Sequence, residues 1–185
     1  MMESSTYYTL EDYYALGEHG ENKYIKWELI KGIFKMSLSP GDTHQKVNGA
    51  LACEIWGRLR KEKKCQVRMA PYDVILGDSV VQPDISVICE TDKISDLGCT
   101  GIPDLIVEVL SKSTVNVDRI DKFNLYVEFG LREYWIVDAW EKTVEKYVLT
   151  NGKLEMKRIY NYNDGGSITS EIFPDLEIEL SDVFE

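Results

Sequence analysis

Two carboxylates lie inside stretches of this chain that are otherwise almost entirely apolar. Asp84 belongs to the stretch VVQPDISVI, and Glu108 belongs to the stretch PDLIVEVLS. Each stretch predicts a largely buried strand, where a carboxylate costs free energy unless it is paired, protonated or bound to a cation. Because the two strands are consecutive apolar strands, the pair of carboxylates predicts one shared acidic site.

The alternation of side chains along a strand shows how the two carboxylates can meet. Glu108 shares its face with Ile106 and Leu110. If the strand of Asp84 lies alongside, both carboxylates reach the same end of the sheet. Paired carboxylates are oxygen ligands for a hard cation such as Mg²⁺ or Mn²⁺. With a lysine nearby they would support phosphodiester hydrolysis, since the metal lowers the pKa of its water and the lysine stabilises developing negative charge.

Lys122 is the candidate for that lysine. It lies on the helix predicted to follow the Glu108 strand, four residues after Asp118. The other interpretation is an exposed ion pair between Asp118 and Lys122, which stabilises a helix by only about 0.2–0.5 kcal/mol. The spacing alone favours the exposed pair.

Turn and capping signals predict the elements that hold these residues. Thr9 is expected to cap a short first helix, and Lys31-Gly32 to join two strands. A long helix is expected after Asp42, and Asn151-Gly152 is a strong type I′ hairpin signal. Further strands are predicted in 65–69, 72–76, 80–88, 104–111 and 132–139, a loop in 90–103, and a final strand and helical turn in 173–185. Together they predict one α/β domain over residues 1–185, with a mixed central sheet flanked by helices and a C-terminal antiparallel hairpin.

Composition and charge limit the class of protein. The chain has 185 residues, is 44% hydrophobic and carries a net charge of −11. That charge argues against a protein that coats nucleic acid through bulk attraction, although it allows a local site. No apolar run approaches a membrane span and no secretory signal begins the chain, so we expect a cytoplasmic protein. The cysteines lack metal-ligand spacing, so we expect reduced thiols and neither a zinc site nor a disulfide framework. They are Cys53, Cys65, Cys89 and Cys99.

Five segments in order resemble one family. They read WELIKG, SPGDTH, QPDISVI, PDLIVEVLSKST and DRIDKFNLYVEFGLREYWIVD. This pattern is similar to the Uma family of restriction-endonuclease-like domains, within the PD-(D/E)XK nuclease superfamily, and it covers roughly residues 7–185. The resemblance implies a restriction-endonuclease-like mixed sheet flanked by helices. It makes Asp84 the aspartate of the first half-motif and Glu108 the acidic residue of the second.

The second half-motif departs from the superfamily at its last position. Leu110 stands where a lysine is expected, and the resemblance implies that Lys122 replaces it. Glu28 matches an early acidic residue that would assist the metal or the water; otherwise it would pair with a lysine across the hairpin. His44 matches a histidine that would contact phosphate or transfer a proton; otherwise it would bond to backbone at the helix start. The carbonyl of Val109 would complete the metal shell.

The resemblance therefore implies a metal-dependent endonuclease that uses Mg²⁺ or Mn²⁺ and acts on DNA. A catalytically degenerate nuclease fold, acting as a nucleic-acid-binding or protein-interaction module, is the alternative that the acidic charge and Leu110 favour. A hydrolase that uses the carboxylates directly, as glycosidases do, is a further alternative. The hairpin 143–160 could supply an edge for a homodimer, or that edge could simply be solvated.

Overall fold

The computed structural model describes residues 7–19, 25–61, 64–112 and 114–185. Its helices are α1 (Leu10–His19), α2 (Asp42–Leu59), α3 (Phe123–Glu128) and α4 (Leu180–Phe184). A π-helical segment, Val117–Lys122, runs directly into α3, and short 3₁₀ turns occupy Thr91–Lys93 and Tyr162–Asp164. Thr9 caps α1 as predicted, because its Oγ1 accepts a hydrogen bond from the amide of Asp12 at 3.2 Å.

The described residues form fourteen strands. They are β1 (Ile25–Ile30), β2 (Ile33–Leu38), β3 (Gln66–Met69), β4 (Val74–Leu76), β5 (Ser79–Val81), β6 (Ile85–Ile88), β7 (Ile94–Ser95), β8 (Gly98–Thr100), β9 (Leu105–Val109), β10 (Glu133–Asp138), β11 (Thr143–Thr150), β12 (Lys153–Asn161), β13 (Ser167–Thr169) and β14 (Glu177–Glu179). The two predicted tight hairpins are present. Lys31 and Gly32 have φ of 49° and 76°, and Asn151 and Gly152 have φ of 51° and 75°, as a type I′ turn requires.

A mixed six-stranded sheet carries the strands of the two carboxylates. Its order is β12-β11-β10-β9-β6-β3, in which β9 and β10 are parallel and the other neighbours are antiparallel. A second six-stranded sheet has the order β2-β1-β5-β4-β8-β7, and β13 pairs with β14. This confirms the predicted mixed α/β fold with helices on the sheet and a hairpin, β11–β12, toward the C-terminus.

The single strand predicted for VVQPDISVI is wrong in detail. The chain leaves one sheet at Val81 and enters the other at Ile85. Pro83 lies between them and has no N–H to donate to a ladder, so the strand is interrupted there. Asp84 therefore lies at the junction of two sheets. The loop predicted for 90–103 also contains the short strands β7 and β8, because β8 pairs with β4.

The central sheet is covered on both faces. On one face, Val107 and Trp135 pack against an apolar stripe of α2 whose members are all buried: Val47, Leu51, Ile55 and Leu59. On the other face, Ile106 and Leu110 pack with residues of α3 and the second sheet. Glu108 shares this second face, as the alternation predicted, and is therefore enclosed between two layers.

The expectation of four reduced thiols is wrong for two of them. The antiparallel register of β3 and β6 places Gln66 opposite Ile88, so Cys65 and Cys89 face each other at the next position. They form a disulfide bond, whereas Cys53 and Cys99 are free. Among the described helices, none is long and apolar enough to cross a membrane.

Candidate functional site

Asp84 and Glu108 converge as predicted. Ile85 pairs with Val107, and continuing this antiparallel register by one residue places Asp84 opposite Glu108 on the same face. The Asp84 carboxylate accepts a hydrogen bond from the amide of Val109 at 2.8 Å. Both residues are nine-tenths or more buried. The two acidic groups thus share one enclosed site at the point where β5 gives way to β6.

Lys122 reaches this site from the helix that follows β9. Its Nζ lies 2.9 Å from Oε1 of Glu108 and 3.0 Å from Oε1 of Glu28. Tyr126, one helical turn later, donates its hydroxyl to the same Glu108 oxygen at 2.9 Å. The ring of Tyr126 is buried in the core, and its hydroxyl also contacts the site. Glu108 is thereby held by two donors.

Glu28 arrives from the second sheet. Its Oε1 accepts a hydrogen bond from the amide of Gln82 at 2.7 Å, and Nζ of Lys26 lies 3.5 Å away. Lys35, which faces Glu28 across the hairpin, pairs with Asp121 instead. Glu28 therefore belongs to the acidic site, and the predicted pairing across the hairpin does not form.

Asp118 and Lys122 are both buried, so an exposed ion pair is excluded. The π-helical segment Val117–Lys122 turns both side chains inward, and Nζ of Lys122 lies 3.2 Å from Oδ1 of Asp118. That oxygen is buried and makes no hydrogen bond to any described residue. Wide π-helical turns occur frequently at functional sites. Asp118 thus adds a further carboxylate to the group, one that sequence reasoning had placed in solvent.

His44 lies in the first turn of α2 and contacts Asp84. Its Nε2 is 3.2 Å from Oδ2 of Asp84, the same oxygen that accepts from Val109. Because that oxygen is an acceptor, Nε2 carries the hydrogen of this contact. Nδ1 is buried and has no hydrogen-bond partner among the described residues. The described contacts of His44 are with Asp84 and include no hydrogen bond to local backbone, which was the alternative.

The electrostatics of the group follow from its burial and its surplus of carboxylates. Burial raises the pKa of Glu108 to about 8; nearby Asp118 and Asp84 add to this, while Lys122 opposes it. Burial likewise raises the pKa of Asp118. Burial works in the same direction at Glu28, but Lys122 and Lys26 outweigh it, so the pKa of Glu28 is lowered. The site therefore holds more negative charge than its ammonium groups balance.

The carboxylates around Lys122 hold its charge in place. Burial alone would lower its pKa, but Glu108, Glu28 and Asp118 raise it well above the ordinary value. At Asp84 burial is outweighed by the hydrogen bond from His44 and the charge of Lys26, which lower the pKa. An ammonium ion surrounded in this way stays protonated across the physiological range. Because the pKa of Glu108 is raised to about 8, we assign the proton that the carboxylates keep at neutral pH to Glu108.

The donor set fits a divalent cation in its chemistry. Its oxygen atoms come from Asp84, Glu108 and Glu28, and hard cations prefer carboxylate oxygens. The raised pKa of Glu108 marks a place where added positive charge is favourable. Within the described residues, however, no group of three histidine, cysteine or acidic side chains is arranged to hold a metal ion. The ammonium of Lys122 lies among the carboxylates, within 3.2 Å of Glu28, Glu108 and Asp118. The cation would therefore compete with Lys122 for Glu108.

Five of the predicted residues come together here through their side chains, and the sixth enters through its backbone. Asp84, Glu108, Glu28 and Lys122 share the site, with His44 bonded to Asp84. Val109 contributes an amide that holds Asp84, and a metal-binding role for its carbonyl stays a prediction. Sequence reasoning missed Lys26 and Gln82, which support Glu28. The alternation of IKWELI, which puts residues 26 and 28 on one face, is a signal that could have found Lys26.

The sequence carries a basic strip at and after the end of α2, and its arginines contact neighbouring residues. The strip consists of Arg58, Arg60, Lys61, Lys63, Lys64 and Arg68. Arg58 contacts Glu54 and the guanidinium of Arg60 lies 4.6 Å from the centre of the Trp56 ring. Arg68 contacts Gln66. Lys63 lies outside the described residues. These contacts are those of a solvated helix end, and no phosphate-binding role is assigned to the strip.

The pKa of Glu108 gives a prediction for stability without metal. Its folded-state value of about 8 exceeds its ordinary value of 4.5, so between these values the folded state keeps a proton that the unfolded state has released. The free energy of unfolding should therefore fall as pH rises through this window, by on the order of 1 kcal/mol per pH unit. Glu108→Gln should remove this fall, as measured by urea unfolding in EDTA between pH 5 and pH 8. Parallel curves for the two proteins would contradict the assignment.

Comparison with known proteins agrees with the fold and identifies the family. A crystal structure described as "a putative nuclease belonging to DUF820", from Anabaena variabilis ATCC 29413, superposes with a TM-score of 0.78 and 19% identity, over 95% of this chain and 97% of that one. It shows that the two chains share one fold. The model of the Uma2 family, described as "Putative restriction endonuclease", matches residues 10–181, so the chain belongs to the Uma2 family.

One curated relative shares local similarity. It is the protein sll1609 of Synechocystis sp. (strain ATCC 27184 / PCC 6803 / Kazusa), described as uncharacterized and 37% identical over 74 residues. The match covers 38% of this chain and 42% of the relative, so the chain aligns with less than half of that protein.

Proposed function

We propose that the chain is an endonuclease that hydrolyses phosphodiester bonds of DNA with the help of Mg²⁺ or Mn²⁺. Membership of the Uma2 family supports nuclease chemistry in general. The observation that carries the proposal is the position of Lys122, whose ammonium contacts Glu108 and Glu28 at 2.9 and 3.0 Å in a buried site. A buried amine and paired carboxylates are the groups that phosphodiester hydrolysis needs in one place.

In this proposal Asp84 and Glu108 hold the cation, with Glu28 and the Val109 carbonyl as further ligands. When bound, a divalent cation polarises a phosphoryl oxygen and lowers the pKa of a water. Lys122 orients the attacking water and stabilises the negative charge that develops on the phosphate. Tyr126 positions Glu108, and the amide of Val109 positions Asp84.

His44 has two roles in the proposal. Its Nε2 contacts the carboxylate of Asp84, and its Nδ1, which has no hydrogen-bond partner among the described residues, would contact phosphate or transfer a proton. Because the contact with Asp84 engages only one ring nitrogen, the two roles are compatible.

The experiment that tests the proposal is cleavage of supercoiled plasmid by the purified protein. We expect nicked and linear DNA in Mg²⁺ or Mn²⁺ and none in excess EDTA, with cleavage restored when metal is added back. RNA of the same sequence, offered in parallel, tests the choice of DNA. Cleavage that is equally fast in EDTA would reject the metal, and no cleavage of either polymer at any metal concentration would reject the nuclease.

A second candidate is a nuclease fold without activity, which serves as a nucleic-acid-binding or protein-interaction module. Two observations favour it: Leu110 replaces the usual lysine, and the Lys122 ammonium already neutralises part of the acidic group. Calorimetric titration separates the candidates. A degenerate site should release no heat with Mn²⁺, whereas a functional site should bind Mn²⁺ and release a proton from Glu108.

The proposal extends to assembly and cell compartment. Strand β12 is an edge of the central sheet, and Met156 and Ile159 on it are about half exposed. A homodimer formed through this edge would bring two sites to two strands of DNA. Light scattering that gives the mass of one chain would reject the dimer.

We place the protein in the cytoplasm, where its DNA substrate would be available.

A further inference from the structure

A cleft opens at Asp84 and His44, on one side of the carboxylate group. It lies between α1, the start of β1, the first turns of α2 and the segment 69–73, and its volume is about 550 Å³. Asp84 and His44 both line it, whereas Glu108 and Lys122 do not. The cleft therefore adjoins the proposed metal ligands and leads away from them. Its volume lies within the range of pockets that hold small organic groups.

Two buried polar atoms on residues that line the cleft lack a partner. Asn48 is 5% exposed, and its Oδ1 accepts no hydrogen bond from any described residue. Nδ1 of His44 is also buried and has no hydrogen-bond partner among the described residues. A buried side-chain amide whose oxygen has no hydrogen-bond partner lowers the stability of the folded state. Alanine also has a higher helix propensity than asparagine. The two residues lie one helical turn apart on α2, so this wall of the cleft holds two buried polar atoms that have no partner among the described residues.

Asp73, which also lines the cleft, supplies a further hydrogen-bond acceptor. The carboxylate of Asp73 accepts from Nε2 of Gln82 at 2.8 Å and from the hydroxyl of Tyr13 at 3.0 Å. These contacts use the donors of Gln82 and Tyr13 and fix the carboxylate in the wall of the cleft. The backbone amide of Gln82 donates to the carboxylate of Glu28, so this one residue joins the wall of the cleft to the acidic site.

Charge and shape decide which part of a substrate the cleft can take. Of the described residues that line it, Lys26 is the one lysine or arginine, and its ammonium donates to the carbonyl of Gln82. Asp73 and Asp84 line it as well, so a phosphate would be repelled. The aromatic residues Tyr14 and Trp27 also line it. A cleft with acceptors and aromatic rings suits a planar group that carries N–H donors.

We propose that the cleft receives one unstacked base of the substrate strand, next to the phosphate that is cut. This proposal rests on the proposed nuclease function and names the substrate more closely. The acceptor lining selects bases that have an exocyclic amino group, and thymine, which has none, is disfavoured. Aromatic residues at the opening stack on the base, as they do in proteins that bind single strands. Such recognition needs no basic groove, in keeping with a net charge of −11.

The test measures binding without cleavage. Glu108→Gln serves as the background in Mg²⁺, and the probes are fluorescein-labelled single strands of cytosine or of thymine, read by anisotropy. We expect the cytosine strand to bind about tenfold more tightly than the thymine strand. Adding Asn48→Ala or Tyr14→Ala should weaken cytosine binding by about tenfold, the effect of one lost stacking or amide contact.

Matched controls exclude a loss of structure. Asn124→Ala changes an exposed asparagine on α3, and Trp140→Ala changes an aromatic residue that is 53% exposed; both should bind as the background does. Because Oδ1 of Asn48 has no hydrogen-bond partner in the part of the chain that the structure describes, Asn48→Ala should melt no lower than the background protein. Equal binding of the two strands, unchanged binding in both cleft variants, or no binding of either strand would overturn the proposal. Since cleavage is not measured, a protein that binds in this way and cuts nothing would reject only the nuclease function.

Discussion

Glu108→Gln and Asp84→Asn should each reduce metal-dependent DNA cleavage by at least about a thousandfold, because each removes a charged ligand at the proposed reaction centre. The isosteric amides keep the shape of the side chains. The amide oxygen introduced by Asp84→Asn would still accept from the amide of Val109, and the one introduced by Glu108→Gln would still accept from Tyr126. Initial rates of plasmid nicking at saturating Mg²⁺ measure the effect.

The same variants should keep their fold. The raised pKa of Glu108 means that its ionised form is disfavoured in the folded state, so Glu108→Gln should be as stable as the parent protein or more so at pH 8. Glu179→Gln, which changes an exposed carboxylate on β14, is the matched control and should cut normally. Rates for Glu108→Gln and Asp84→Asn within tenfold of the parent would contradict their proposed role, whatever their melting temperatures.

Lys122→Met should be the most destabilising of the site substitutions. It leaves Asp118 buried without its ammonium partner and Glu28 with Lys26 alone, 3.5 Å away, and breaking a buried pair from one side costs about 3–5 kcal/mol. The loss should be larger at pH 8 than at pH 5, because acid protonates the stranded carboxylates. Cleavage should disappear as well. Urea unfolding at the two pH values measures the stability.

Lys35→Met provides the contrast. Lys35 pairs with Asp121 at 2.7 Å, but both side chains are partly exposed, and exposed pairs contribute about 0–1 kcal/mol. If Lys122→Met cost no more than Lys35→Met, the ammonium of Lys122 would not be the partner of the buried carboxylates. An active Lys122→Met protein would also remove Lys122 from catalysis.

Strand alternation predicted much of the site from sequence. It placed Glu108 on a defined face, and the apolar context of Asp84 predicted an adjoining strand, as β6 and β9 confirm. Strand alternation did not predict the position of Lys122, which lies on a helical segment. Spacing favoured an exposed pair with Asp118, and the resemblance to the family alone pointed inward. The inward direction depends on the π-helical segment, and no local pattern in this sequence predicts such a turn.

Long-range packing accounts for what the sequence did not predict. Glu28 meets Lys122 because the second sheet lies over the first, and that arrangement follows from the interruption at Pro83. The Cys65–Cys89 bond depends on the register of β3 with β6, which cysteine spacing does not reveal. The buried polar atoms of Asn48 and His44 were equally hidden, since the sequence does not show which polar residues on a helix lack a partner.

A crystal soaked in Mn²⁺ tests most directly whether Asp84 and Glu108 bind a divalent cation. We expect one anomalous peak with a carboxylate oxygen of each residue about 2.0–2.3 Å away, close to the distances that hard cations adopt with oxygen ligands. Nζ of Lys122 should then have moved off Glu108, with its contacts to Glu28 or Asp118 kept. Unaltered contacts between Lys122 and Glu108 at saturating Mn²⁺, with no peak between the two carboxylates, would contradict the metal site.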